Sequence, residues 1–203
     1  MSMKLHWSPK SPFVRKVLVC ADELNVMDRL ELVRSVAAML QPNAELMRDN
    51  PLSKIPTLVL EDGTTLFDSV VICEYLNDLV EGPLFPQYPP AKWQSLRWHA
   101  FGDGLLENLI LWRNEREREQ PLQKLIDAFA LKVEASLKLL DEEAAALALA
   151  PFAIGHVAVA CGLGYIDYRF DAIGWRKTAP KLAQWHAEVM QRPSFVATEP
   201  AEG

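Results

Sequence analysis

The chain is short of cysteine, of long apolar runs and of clustered positive charge. Its three cysteines, Cys20, Cys73 and Cys161, make an odd count with no paired spacing, and each lies in an apolar helical context. A disulfide framework is therefore not expected; buried free thiols in a reducing, cytoplasmic setting are. The most apolar window, Ala144 to Val159, is interrupted by Pro151, Gly155 and His156, so it is not a membrane span. No basic cluster accompanies the net charge of −6, which argues against nucleic acid or an anionic membrane surface as partner. Met1-Ser2-Met3-Lys4 leads into a strand-like run, not into a signal peptide. What is present is ordinary globular material: 203 residues, 50% hydrophobic and 24% charged, enough for one domain or two small ones.

Residues 1–80 alternate strand and helix. Met3-Lys4-Leu5-His6-Trp7 reads as a strand, a helix follows Pro12, and Leu30-Glu31-Leu32-Val33 alternates at period two. Asn43 is placed to cap a short helix through Met47. Glu61-Asp62-Gly63 between two apolar runs signals a hairpin. Asp68-Ser69 precedes a one-faced helix through Leu79. A parallel βαβ unit followed by a hairpin and helix describes an α/β thioredoxin-like domain. Residues 81–91 are rich in proline and form a linker. Residues 92–203 read as all helical: Trp93 to about Glu119, Leu122 to Leu147, a buried helix from Ile154 to Ile173, and a last helix from Pro180 that stops before Pro193. The tail from Thr198 to Gly203 is expected to fray.

Ser8-Pro9-Lys10-Ser11-Pro12-Phe13-Val14-Arg15-Lys16 is the most informative stretch. Apolar residues recur at Phe13, Val14, Val17, Leu18, Ala21 and Leu24, the spacing of one helical face. Proline suits the first helical position, and the other first-turn N–H groups favour an anion. Ser11 therefore sits where a ligand thiolate or carboxylate would be stabilised, or it is a plain helix cap.

With these residues in view, the chain resembles the glutathione transferases from end to end. The hydroxyl-Pro-Phe helix start is one marker. Asn50-Pro51-Leu52-Ser53-Lys54-Ile55-Pro56-Thr57-Leu58 is similar to the family's N-P-x-x-K-[IV]-P-x-L segment, and Asp68-Ser69 to its acidic-Ser pair. Gly164 to Phe170 and Arg192-Pro193-Ser194 resemble elements of its helical half. The resemblance implies a glutathione transferase fold, a thioredoxin-like domain followed by an all-α one. It implies glutathione as co-substrate, with no metal. It also implies a cis bond before Pro56. The backbone of Ile55 would pair with the cysteinyl part of glutathione like an added strand. Ser69 would bind the γ-glutamyl carboxylate, Asp68 the γ-glutamyl amine, and Lys54 the glycyl carboxylate. Ser11 would donate to the sulfur and favour its ionised form, as in serine-type members with a Ser-Pro-Phe motif, because the thiolate is the nucleophile. Ser8, three residues earlier, is the competing donor. Cys20 falls more than two turns into the helix and cannot serve.

Two places depart from the family's pattern. Ala153 and His156 stand where a Ser or Thr cap and an Asp are usual at the central helix, so that helix is expected to start differently or to be less stable. Ser35 to Asn43 offers only Gln41, with Arg34 before it, toward the glycyl carboxylate, so glutathione binding is expected to be weak. The second substrate, a small hydrophobic electrophile, is expected between the domains at Trp7, Phe13, Leu105, Leu109, Trp112 and Arg113, with Gly104 and Tyr168 or Arg169 nearby. The plain reading of Leu105 and Leu109 is core. Apolar residues on more than one side of the helix from Ser69 call for a partner, so a homodimer is expected, the third helix and the linker of one chain against the long helix of the other. A different class remains open: a non-catalytic binding or regulatory protein of this fold, like the stringent-starvation regulators.

Overall fold

Alternation along the first strand sets the architecture. In β1 (Met3–Trp7) Met3 and Leu5 are buried, while Lys4 and His6 lie on the opposite face of the strand. The computed structural model describes residues 2–202. The remaining elements of this part are α1 (Pro12–Glu23), β2 (Leu30–Arg34), α2 (Leu46–Asp49), β3 (Thr57–Val59), β4 (Thr65–Leu66) and α3 (Ser69–Asp78). The four strands form one sheet in the order β2-β1-β3-β4. β1 pairs β2 in parallel, with Leu5 opposite Leu32, and pairs β3 antiparallel, with Leu5 opposite Leu58. The mixed sheet has the thioredoxin-like pattern that the strand and helix order predicted.

Gly63 takes φ +84°, the left-handed conformation that the Asp62-Gly63 turn between β3 and β4 requires. Leu60 N–H donates to Thr64 C=O at 2.8 Å across it. Asn43 closes a turn, its Oδ1 accepting from Glu45 N at 3.0 Å and Leu46 N at 3.2 Å, but the helix expected to end at Met47 runs Leu46–Asp49 with Glu45 at its N-cap. The core holds Leu5, Val14, Val17, Cys20, Leu58, Ile72, Cys73 and Leu76, all at 0% exposure. Cys161, in the helical part, is likewise buried, and none of the three cysteines is in a disulfide.

Beyond the prolines run α4 (Ala91–Arg116), α5 (Gln123–Leu149), α6 (Ile154–Phe170), α7 (Pro180–Val189) and the short α8 (Pro193–Ala197). The chain divides into two compact units, 2–85 with 193–202, and Pro86–Arg192. The sequence reading ended the helical part at 203; residue 203 lies outside the described residues, and 193–202 group with the first unit. Phe195 is fully buried, Ser194 Oγ donates to Glu23 Oε1 at 2.6 Å, and Arg15 Nη2 donates to Phe195 C=O at 3.2 Å. Residues 199–202 have no regular structure, and Lys10 Nζ meets Glu202 Oε2 at 2.6 Å.

In the helical unit α6 is the centre, as its apolar character on all sides required, with every residue from Ile154 to Ile166 buried. Gly102 lets α4 approach it: a Cβ there would stand 2.5 Å from the backbone carbon of Ala158. No helix among the described residues is long and apolar enough to cross a membrane.

Candidate functional site

The strand register brings three separated segments to one end of the sheet. His6 pairs Thr57, so the loop Ser8–Ser11 after β1 leaves the sheet beside Ile55–Pro56 before β3. Leu58 pairs Leu66, so Asp68–Ser69 after β4 leaves at the same end. α1 and α3 start there, and their positive ends favour an anion.

Ser11 is the N-cap of α1, with Pro12 at the first helical position. Its Oγ accepts from Val14 N–H at 3.3 Å, so the cap role is real. That bond uses a lone pair; the hydroxyl proton has no acceptor among the described residues, and the side chain is half-buried at the helix start. Ser8 Oγ accepts from Lys10 N–H at 3.4 Å and lies outside the helix.

The Ile55–Pro56 bond is cis, as the resemblance implied. The N–H and C=O of Ile55 have no hydrogen-bond partner among the described residues, as an unpaired edge offered to an extended ligand would have none. Asn50, 1% exposed, fixes this loop: its Nδ2 donates to Thr57 Oγ1 at 2.9 Å and Lys54 C=O at 3.3 Å. The Lys54 side chain is exposed.

At α3 the two neighbours divide the work. Asp68 is the cap, its Oδ1 accepting from Val70 N–H at 3.0 Å. Ser69 is the first helical residue and 2% exposed, and its hydroxyl makes no hydrogen bond among the described residues.

Sequence reasoning missed the network beneath this end of the sheet. His6 Nε2 lies 2.7 Å from Asp49 Oδ2 and His6 Nδ1 2.8 Å from Ser35 Oγ, while Lys4 Nζ donates to Asp49 Oδ2 at 2.6 Å. Hydrogen bonds from Lys4 and from His6 hold the Asp49 carboxyl below the ordinary carboxylate range. The cluster ties α2 to β1 and β2, and so steadies the loop that carries Ile55. The signal was available: Lys4 and His6 alternate on one face of a strand whose other face is apolar.

The residues expected at the second substrate fall into two kinds. Leu109 is fully buried and Leu105 4% exposed, Leu105 packing on Gly162 of α6, so both are core side chains. Trp7, Phe13, Trp112 and Arg113 are half-buried; Trp7 and Phe13 belong to the first unit and the other two to the second. Trp112 packs on Phe170 with ring centroids 4.8 Å apart, and Arg113 Nη1 donates to Tyr165 OH at 3.1 Å.

His156 proves structural. Its Nδ1 accepts from Ala153 N–H at 3.1 Å, and Nε2 lies 3.0 Å from Leu147 C=O, which fixes the neutral ring with its proton on Nε2. Burial holds its pKa below the ordinary histidine value, and Arg192 acts in the same direction. Ser95 Oγ accepts from Gly155 N–H at 3.3 Å. The helix does start at Ile154 without a Ser or Thr cap, because α4 supplies one hydroxyl and His156 the other acceptor.

Comparison with known proteins places this geometry. Residues 10–79 match the family model described as the glutathione S-transferase N-terminal domain. The chain is 30% identical over 207 residues to the uncharacterized GST-like protein YibF of Escherichia coli K12, covering 98% of each chain. A glutathione transferase family member from Pseudomonas fluorescens Pf-5, solved with bound glutathione, is 39% identical, with a TM-score of 0.95 over 99% of this chain and 100% of that one. A second structure from that organism, with bound S-(propanoic acid)-glutathione, is 37% identical, with a TM-score of 0.90 over 98% and 100%. The chain belongs to the glutathione S-transferase family.

Proposed function

We propose that the protein is a glutathione transferase, of the serine type, that ionises the glutathione thiol for attack on a small hydrophobic electrophile. The observation that carries the reading is a set of unspent polar groups at one end of the sheet: the Ser11 hydroxyl proton, the Ile55 backbone pair and the Ser69 hydroxyl. They match an extended ligand with a thiol, a peptide unit and a carboxylate. The relatives with bound glutathione support the ligand, and the one with a substituted sulfur supports chemistry at that atom.

In this reading the Ile55 N–H and C=O hold the cysteinyl residue, Ser69 and the start of α3 hold the γ-glutamyl carboxylate, Asp68 the amine, and Lys54 the glycyl carboxylate. The thiol gives its proton to solvent, and Ser11 O–H donates to the sulfur that remains. The Val14 N–H already donating into Oγ strengthens Ser11 as a donor. The thiolate then forms a bond to the electrophilic carbon, and the leaving group departs with its electron pair. A free thiol near pKa 8.5 is only a few per cent ionised at neutral pH, so each unit of depression is worth about 1.4 kcal/mol.

The exposed apolar residues Val70 and Val71 on α3, and Trp93 on α4, support a homodimer. Sedimentation equilibrium decides the assembly: twice the 22.9 kDa chain mass supports the dimer, and the chain mass alone refutes it. Calorimetric titration with glutathione tests the function. Saturable binding with turnover of an aryl halide supports it. No binding at millimolar concentration would leave a non-catalytic protein of the same fold.

A further inference from the structure

At the C-terminal ends of α4 and α6, inside the helical unit, buried side-chain donors stand without an acceptor among the described residues. Trp112 Nε1 and Arg113 Nε are buried and have no hydrogen-bond acceptor among the described residues. Tyr165, 1% exposed, accepts from Arg113 Nη1 at 3.1 Å, and no acceptor for its own proton exists among the described residues. Burial raises the Tyr165 phenol above its ordinary pKa, with Arg113 and Arg169 pulling the other way, so it keeps that proton at neutral pH.

Charge points the same way. Arg169 stacks 3.9 Å above the Tyr168 ring and donates to Tyr168 OH at 2.9 Å, and Arg116 stacks 4.7 Å from the Phe170 ring. The nearby acids are few or engaged. Glu117, 62% exposed, stands 3.8 Å from Arg113 Nε. Glu115 accepts from Leu122 N–H and Arg118, and Asp167 from Trp175 and Arg176. Donors left over beside guanidinium groups suit a ligand atom set that only accepts, which is an anion. The aromatic rings beside them suit a flat apolar body attached to it.

We infer that this end of the helical unit recognises the acidic group, a carboxylate or sulfonate, of a ligand with a flat apolar body, through Arg113, Arg169, Trp112 and Tyr165. Resting on the transferase reading, that ligand is the electrophile, which narrows the second substrate from hydrophobic to amphiphilic and acidic. Arg113 and Arg169 are then specificity-determining contacts and take no part in thiol ionisation.

The test is calorimetric titration of the whole protein with 3,5-dinitrobenzoate and with 3,5-dinitrobenzamide, which share a body and differ in charge. The acid is expected to bind at least about tenfold more tightly, the weight of hydrogen bonds to a charged group. Arg113→Gln and Arg169→Gln each remove most of that preference, weakening the acid far more than the amide. Trp112→Phe keeps an aromatic ring, loses the N–H and weakens the acid more than the amide, which carries the test if an arginine variant does not fold. Equal binding of acid and amide by the wild type, or an acid preference intact in all three variants, overturns the inference. Glutathione titrated into the same samples separates the two readings. Acid preference without glutathione binding keeps this site and removes the transferase; glutathione binding without acid preference does the reverse.

Discussion

The helices of the two units start differently. In the first, α1 and α3 are capped from their own sequence, by Ser11 and Asp68. In the second, α4, α5, α6 and α7 have Pro90, Leu122, Ala153 and Ala179 at the N-cap, none with a capping oxygen. At α5, α6 and α7 an N–H at the cap or in the first turn finds its partner on another helix. Glu115 accepts from Leu122 N–H at 2.8 Å, Ser95 from Gly155 N–H, and Asp141 of α5 from Leu182 N–H at 2.9 Å. A helix start capped locally is complete by itself and can keep its open end for a ligand. The start of α6, capped from α4, is buried in that contact and serves packing.

The largest effect should come from breaking the second mode at α6. His156→Ala strands the Ala153 N–H and the Leu147 C=O and empties a ring's volume beside Trp98, and should cost about 3 kcal/mol. Thermal or urea unfolding measures it; a cost below about 1 kcal/mol would show that another group can cap α6. The same residue carries a pH signature. Because its folded pKa is depressed, the unfolded chain takes up a proton that the folded chain resists. Stability is then complete above about pH 6.5 and declines as pH falls through it. The melting temperature of the wild type should therefore drop from pH 7.5 to 5.5 more than that of His156→Ala, and equal slopes would assign the titration to other groups.

The first mode predicts effects on ligand chemistry. Ser11→Ala should raise the barrier to turnover of an aryl halide by about 2 kcal/mol, and lower stability by about 1 kcal/mol through the lost cap. Ultraviolet absorbance of the bound thiolate against pH reports the cause directly. An unchanged thiol pKa would move the donor to Ser8 or the backbone.

Ser69 and Asp68 sharpen the comparison within one helix. Ser69→Ala should weaken glutathione by roughly 1.5–3 kcal/mol with the melting temperature unchanged, because Ser69 does not cap α3. Asp68→Ala should lower stability by about 1 kcal/mol. The reverse pattern, with Ser69 governing stability, would return Ser69 to a plain structural role. The smallest effects belong to the borrowed caps. Asp141→Ala and Ser95→Ala should each cost about 1 kcal/mol or less, the net worth of one hydrogen bond, seen as small shifts of the urea midpoint.

Much of the first unit was legible because its signals are local. Proline after Ser11, Asp-Gly between apolar runs and Asp68 before a periodic stretch each fix a start or a turn within a few residues of themselves. The spread of the long helices was legible too, to within a few residues at their ends. Less legible were Leu105 and Leu109, where one apolar pattern serves core and pocket alike, and Lys4, His6, Ser35 and Asp49, whose chemistry exists only once strands and α2 meet.

By itself the sequence determined the order of elements, the starts of α1 and α3 and the turn at Gly63, because backbone preferences and short-range hydrogen bonds act over a few residues. Only the tertiary structure decided which serine caps and which is left open, how His156 and Ser95 together replace a missing cap, where the tail packs, and that Trp112, Arg113 and Tyr165 gather donors at one end of α4 and α6. Those outcomes depend on which polar groups meet once the apolar faces have packed. A buried donor without an acceptor has no signature along the chain, since its partner is chosen by distance in space.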